Sequence, residues 1–552
     1  MIHFGLRMIG AALCWCAALA AASESCGDAT ASTTSSGLSS GTSSGSTSVQ
    51  PSQSSSSSSA NSSTKCFPSN FLFGSATASY QVEGAVNETG RTPSVWDEIC
   101  GGDSFPSCAN VADDFFHRYH DDVQTMKSDG YGSMRFSISW SRAMTWNGTL
   151  QRMQPNSEGL AFYHSLVDDL TANGIEPLLT LFHWDMPMEL YSAGDFLNTT
   201  IIDHFKDYAE LIFTEFGQQV KFWSTINEPL SYMYIFYIYS GTDSDEYEAA
   251  HNLLLAHAEM VALFRRLQEQ GAVQSSARIG LVLSGFGIPY DDTLDADVEA
   301  AERFNEFNSG WFLAPIVTGD YPSMMRERVG NRLPNFTDEE AELVKGSYDL
   351  IMINHYFSNL ITYCDSEHSE TNCSSLVDGY FADMGVDNSQ VHNDSVIGTG
   401  SLADPTSCTD HSGFPPSYME YIRWAHVYDA SADMLLTENG WCGNETIDNQ
   451  DQLWYYRTHL EMVHHAIYEE SIPIIGYTAW SFVDNFEWGS YAPRYGLYYV
   501  DFPDNIGDKD LYSVPSTFLN RTARTAAKWY ANLATTGCFE AQAEDEKWLA
   551  YL

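Results

Sequence analysis

Basic residues are scarce in this chain. Its 552 residues carry 26 lysines and arginines against 73 aspartates and glutamates, a formal net charge of −47. A field of that sign repels phosphate backbones and anionic lipid, so nucleic acid is not an expected partner. Beyond residue 22 no run of 18 or more apolar residues occurs, so no transmembrane helix is expected. No Cys-x-x-Cys is present, which removes the commonest zinc motif. No glycine-rich phosphate loop follows the first candidate strand, which sets aside a doubly wound nucleotide-binding sheet. Neither a metal nor an organic cofactor is expected.

Apolar and aromatic side chains are plentiful, at 44% and 14% of the chain. That suffices for a large core and for a pocket lined with rings. The length would permit several domains, but a single α/β barrel can also be this long.

Composition divides the chain into four parts. Residues 1–22 carry His3 and Arg7, then an apolar run closing on Ala20-Ala21-Ala22. This is the pattern of a secretory signal peptide, and an extracellular protein is expected. Residues 23–65 are dominated by Ser, Thr and Gly and read as a disordered linker or stalk. Residues 66–538 are globular in composition. Residues 539–552, with Glu540, Glu544, Asp545 and Glu546, read as an acidic tail. Nine cysteines follow the signal segment, an odd number, so at least one is free or pairs with another chain. Cys100 with Cys108, and Cys364 with Cys373, are near enough in sequence to bridge local loops. Nine Asn-x-Ser/Thr sites, at Asn61, Asn87, Asn147, Asn198, Asn335, Asn372, Asn393, Asn444 and Asn520, suit a glycoprotein.

Within the globular part, eight short apolar runs read as strands: Phe71–Ser75, Ser133–Ser139, Glu176–Phe182, Val220–Ile226, Arg278–Ser284, Tyr348–Asn354, Asp433–Thr437 and Ile474–Trp480. Amphipathic helical patterns lie between many of them, at Phe115–Asp129, Glu158–Asn173, Ile201–Phe216, His251–Glu269 and Asp451–Glu470. Alternating strands and helices imply a parallel sheet. Eight units predict a single (β/α)8 barrel with extended loops.

Two of the strands end on glutamate. Thr225-Ile226-Asn227-Glu228-Pro229 closes the fourth candidate, and Thr437-Glu438-Asn439-Gly440 closes the seventh. A buried carboxylate is costly unless paired or used. A barrel presents its chemistry at the C-terminal ends of its strands. Two carboxyl groups there meet the demand of glycoside hydrolysis: one donates a proton, the other attacks or activates water.

Seven motifs in order now identify a resemblance. They are Phe67–Gly84 (FPSNFLFGSATASYQVEG), Arg135–Trp140 (RFSISW), His183–Pro187 (HWDMP), Thr225–Pro229 (TINEP), Asn354–Tyr356 (NHY), Thr437–Gly440 (TENG) and Trp480–Trp488 (WSFVDNFEW). Over residues 67–533 the chain resembles the family 1 glycoside hydrolases, the β-glucosidase-like barrels. The resemblance implies a retaining β-glycosidase, most simply a β-glucosidase, acting on a β-glycoside. It implies Glu228 as acid/base and Glu438 as nucleophile, with Arg135 and Tyr356 supporting the nucleophile. It implies Gln81, His183, Asn227, Glu487 and Trp488 for the sugar hydroxyls, with Trp480 as a stacking floor. Glu487 stands where phospho-sugar members lack an acid, which implies an unphosphorylated sugar. Glu228 stands where thioglucosidases carry glutamine, which implies an O-glycoside. A β-galactosidase, a β-fucosidase or a transglycosidase is the alternative within the family; a catalytically silent sugar-binding protein is the alternative outside enzymes. The chain departs from the family in a short segment at 230–250, in Met352 where glycine is common, and in Tyr495 where phenylalanine is common.

Overall fold

Each of the eight apolar runs forms a strand. In the computed structural model they span Leu72–Ala76, Ser133–Ser137, Glu176–Phe182, Phe222–Asn227, Arg278–Leu283, Leu350–His355, Asp433–Asn439 and Ile474–Trp480. All pair in parallel with their sequence neighbours, and the eighth closes on the first. The expected (β/α)8 barrel is therefore present. The structure describes residues 64–239, 245–357, 359–364, 379–389, 391–392, 395–396, 399–400, 408 and 412–552. The expected signal peptide and nearly all of the linker lie outside these residues, as do Asn61, Asn372 and Asn393.

Helices cover the outside of the barrel because one stripe of each is apolar. The helix Thr200–Phe216 buries Ile201, Phe205, Tyr208, Ile212, Phe213 and Phe216. Trp223 of the fourth strand packs edge-on against Phe213 at 5.1 Å and against Phe264 of the helix Asp245–Glu269 at 6.2 Å. The barrel interior is closed by Leu178, Val282, Leu350, Met352 and Leu435. Met352 fits because Gly280 lies beside it. A Cβ on Gly280 would meet the Leu350 carbonyl oxygen at 2.6 Å and the Met352 sulfur at 3.3 Å. The unusual large residue at one position is thus matched by a small one on the next strand.

Three ladders shift register near the C-terminal ends of strands. The shifts fall between Ser224 and Asn227, between Ile353 and Asn354, and between Leu436 and Asn439. Such irregularities re-aim side chains beside active sites. They bracket the residues described below.

Sequence reading errs at the C-terminus. The segment read as an acidic tail is folded onto the barrel. Cys538–Glu540 pairs antiparallel with Thr64–Cys66, and Ala543–Glu546 is helical. Trp548 is buried against Phe414 and Trp454, and Asp545 meets Arg457 at 2.9 Å. Counting charges misses that this buried acid has a partly buried cation waiting for it. Disulfides join Cys66 to Cys538, Cys100 to Cys108, and Cys408 to Cys442. Only the second was proposed from spacing. Cys364 is also disulfide-bonded, while Cys373 lies outside the described residues. No helix among the described residues is long and apolar enough to cross a membrane.

Candidate active site

Glu228 follows directly on the fourth strand, and Pro229 opens the helix Pro229–Met233. Proline lacks the N–H a ladder needs, and its fixed φ suits a first helical position. Between them Glu228 adopts a left-handed backbone, φ 41°, uncommon for a non-glycine residue. Its own N–H donates to the Val282 carbonyl at 3.0 Å, which pins it to the fifth strand. Only 8% of the residue is exposed. Ser231 Oγ donates to Oε2 at 2.7 Å and Asn354 Nδ2 to Oε1 at 2.6 Å. Burial, and next the charge of Glu438, push its carboxyl up to about 7, against the pull of Asn354, Ser231 and Arg135.

Glu438 lies in the seventh strand and is buried as well. Arg135 Nη1 donates to Oε1, and the Tyr356 hydroxyl donates to Oε2. A guanidinium and a phenol therefore hold the two oxygens of one carboxylate. Arg135 Nη2 donates to Asn227 Oδ1 at 2.7 Å, so one planar cation ties the seventh strand to the fourth. Asn354 Nδ2 also reaches Asn227 Oδ1, at 3.2 Å. Thr437 Oγ1 donates to Asn354 Oδ1 at 2.7 Å, which turns the Asn354 amide nitrogen toward Glu228. Gly440, two residues beyond Glu438, permits close contact between strands: a Cβ there would stand 1.9 Å from the Trp480 carbonyl oxygen.

A polar rim surrounds the two acids. Since Asn227 Oδ1 accepts from Arg135 and Asn354, its Nδ2 is the donor to His183 Nε2, at 3.2 Å. The His183 proton is thereby assigned to Nδ1. Burial and the Arg135 charge hold this imidazole well below its usual pKa, hence neutral. Its Nδ1 is buried without a partner among the described residues and is free to donate to a ligand. Gln81 Nε2 donates to Asn485 Oδ1 and Phe486 O, both at 2.9 Å, and to Glu487 Oε2 at 3.1 Å. That leaves Gln81 Oε1 as an unused acceptor. Trp480 Nε1 donates to Glu487 Oε1 at 3.2 Å. Burial raises the Glu487 carboxyl to about 8, with Glu438 adding to the rise.

Aromatic faces complete the site. The His183 ring lies 14° from parallel with both Trp480, at 6.1 Å, and Trp488, at 5.9 Å. Trp488 rests on Trp184 and Trp96, at 4.6 and 4.7 Å. Tyr356 meets Tyr495 edge-on at 5.6 Å. Trp184 and Trp488, like Glu228, have left-handed backbones, φ 71° and 46°. Backbone of this kind gathers at functional sites. Among the described residues no group of three or more His, Cys, Asp or Glu side chains could hold a metal ion.

The structure thus brings together all ten residues singled out from the sequence. Sequence reasoning missed the partners of Glu228. Asn354 was visible in the Asn-His-Tyr motif without a role. Ser231 was visible only as a hydroxyl three residues after Glu228, which is one helical turn.

A family model described as glycosyl hydrolase family 1 matches residues 63–538. β-Glucosidase 32 of Arabidopsis thaliana is 35% identical over 498 residues, covering 84% of this chain and 88% of that protein. Furcatin hydrolase of Viburnum furcatum is 37% identical over 475 residues, covering 80% and 84%. The crystal structure of a rice β-glucosidase superposes with a TM-score of 0.75 at 32% identity, over 85% of this chain and 98% of that one. A glutamate-to-glutamine mutant of the rice enzyme is known in a covalent complex with glucose. A closed parallel barrel with two buried glutamates at its strand ends, matched along nearly its whole globular length, leads to one conclusion: this chain belongs to glycosyl hydrolase family 1 and is an O-glycoside hydrolase.

Proposed function

We propose that the protein hydrolyses terminal, non-reducing, unphosphorylated β-D-glucosyl residues with retention of configuration. The observation that carries this reading is the contrast between the two buried acids. Glu438 is held by a cation and a phenol, donors that fix both of its oxygens and complement a negative charge there. Glu228 is held by two neutral donors and raised to about 7, the setting of a carboxylic acid. Glu438 attacks the anomeric carbon while Glu228 protonates the leaving oxygen, giving a glycosyl ester on Glu438. Esterification removes the Glu438 charge. That charge is one cause of the raised Glu228 pKa, so Glu228 then loses its proton and serves as base toward water. The covalent glucose complex of the related rice enzyme supports the same course.

His183 Nδ1, Gln81 Oε1, Asn227 and Glu487 supply donors and acceptors for the hydroxyls, with Trp480 and Trp488 as ring faces. A sugar phosphate beside Glu487 would meet a carboxyl that repels it once ionised. Export of the protein is supported by its N-terminal sequence and by the disulfides, which persist in oxidising compartments. The test is incubation with a 2-deoxy-2-fluoro-β-glucoside bearing a good leaving group, then intact mass and peptide mapping. A stable adduct on Glu438 is expected. Normal turnover of an aryl β-glucoside without any adduct would overturn the mechanism, and an adduct on another residue would overturn the assignment.

A further inference from the structure

The helix that begins at Pro229 holds more than a turn. It passes directly into a π-helical turn at Tyr234–Ile238, a rare form often found at functional sites. Two tyrosines of this run, Tyr232 and Tyr237, donate their hydroxyls to the same oxygen of Asp195, each at 2.7 Å. The Phe196 N–H bonds the Tyr237 hydroxyl at 3.2 Å, and Asn252 Nδ2 donates to the Phe196 carbonyl at 2.8 Å. Asp195 is 4% exposed and has a left-handed backbone, φ 50°. Its second oxygen is buried without a partner among the described residues. Such an arrangement is costly and needs a reason.

We propose that Asp195 is a positioning residue for the proton-transfer step, acting through Tyr232 on Ser231 and so on Glu228. The chain of contacts is short. Asp195 lies in the connection after the third strand, past the short helix Met188–Ser192, and the same connection carries His183 and Trp184. Tyr232 is the neighbour of Ser231, whose hydroxyl bonds the Glu228 carboxyl at 2.7 Å. The Tyr232 N–H also bonds the Glu228 carbonyl at 3.2 Å. Asp195 therefore fixes the segment bearing the acid to the loop bearing the sugar contacts. A second tie runs parallel, from Trp184 Nε1 to the Asn227 carbonyl at 2.7 Å. Burial raises the Asp195 carboxyl to about 6, so at neutral pH it receives both hydroxyls as a carboxylate.

This inference rests on Glu228 being the acid, and its test separates the two. General acid catalysis matters most for poor leaving groups, and is worth about 10²- to 10⁴-fold. The measurement is kcat/KM for methyl β-glucoside and for 2,4-dinitrophenyl β-glucoside, with the melting temperature of each variant. Tyr232→Phe keeps the ring and removes one tie; Tyr237→Phe removes the other. Tyr232→Phe is expected to lower the methyl glucoside value roughly tenfold, with the dinitrophenyl value within about twofold of the parent. Tyr237→Phe is expected to move the same ratio less, and provides the reading if Tyr232→Phe does not fold. Asp195→Asn, which keeps an acceptor oxygen and tolerates the left-handed backbone, is expected to move the ratio less than Tyr232→Phe. Equal losses on both substrates, or a lower melting temperature with an unchanged ratio, would overturn the proposal and leave a purely structural clamp. Glu228→Gln is the reference. If it shows no leaving-group dependence, the acid assignment itself fails and the positioning role with it.

Discussion

Trapping the glycosyl-enzyme should change the acidity of the residue that is not trapped. The Glu228 carboxyl lies at about 7 in the free enzyme, raised first by burial and next by the Glu438 charge. Esterification of Glu438 removes the second cause and leaves the first. Two unit charges about 5.5 Å apart, the spacing of a retaining pair, interact by about 3 kcal/mol at an effective dielectric of about 20. That corresponds to about two pK units. The donors Asn354 and Ser231 act in both states and so cancel from the difference; an effective dielectric above about 20 at this partly solvated carboxyl would reduce it. A fall of between about one and two units is expected. The assay is a carbon-13 titration of enzyme labelled at the glutamate carboxyl, free and as its 2-deoxy-2-fluoroglucosyl form, with Glu228→Gln identifying the resonance. The free enzyme carries a kinetic counterpart. In the proposed role Glu228 must be protonated to act, so kcat/KM for an aryl glucoside is expected to fall as pH rises through about 7. A Glu228 pKa unchanged or higher after trapping would refute the coupling and, with it, the account of how one residue serves as acid and then as base.

Other outcomes follow from the same geometry. Arg135→Lys keeps a cation but not a fork that can reach both Glu438 and Asn227; kcat/KM should fall about a hundredfold, measured against an aryl glucoside. Asp484 accepts from both Nη atoms of Arg524, at 2.7 and 2.9 Å, with both side chains fully buried. Asp484→Ala leaves that cation unpaired and should cost about 3–5 kcal/mol in denaturant unfolding; a loss under about 1 kcal/mol would mean Arg524 finds another partner. Replacing Cys66 and Cys538 by alanine opens a link spanning 472 residues, and should lower stability by about 2–4 kcal/mol. Because that bridge adjoins the strand starts rather than their catalytic ends, kcat should stay within about twofold; a larger change would show the base of the barrel coupled to the site.

Much of this was legible along the chain. Each barrel strand is a short apolar run, and the helices between them carry one apolar stripe, because period in sequence becomes a face in space. Glu228 and Glu438 announced themselves by ending such runs. Other features were not legible. Asn354 turns toward Glu228 only because Thr437, on another strand, holds its oxygen. Cys66 meets Cys538, and Asp545 meets Arg457, across separations that carry no local signal. The C-terminal segment looked solvated because its acids could be counted and their partners could not.

The sequence by itself determined the barrel, the two acids at its strand ends and the ring of polar and aromatic groups around them. The barrel and the two acids follow from residue type and spacing, which local physics reads directly; the ring of polar and aromatic groups was implied by the resemblance to the family 1 glycoside hydrolases. The tertiary structure decided what surrounds each acid. Both are glutamates at the ends of buried strands. One received Arg135 and Tyr356, and the other received burial, two neutral donors and the charge of its neighbour. Acidity is set by the field of everything nearby, and only folding brings residues hundreds of positions apart into that field.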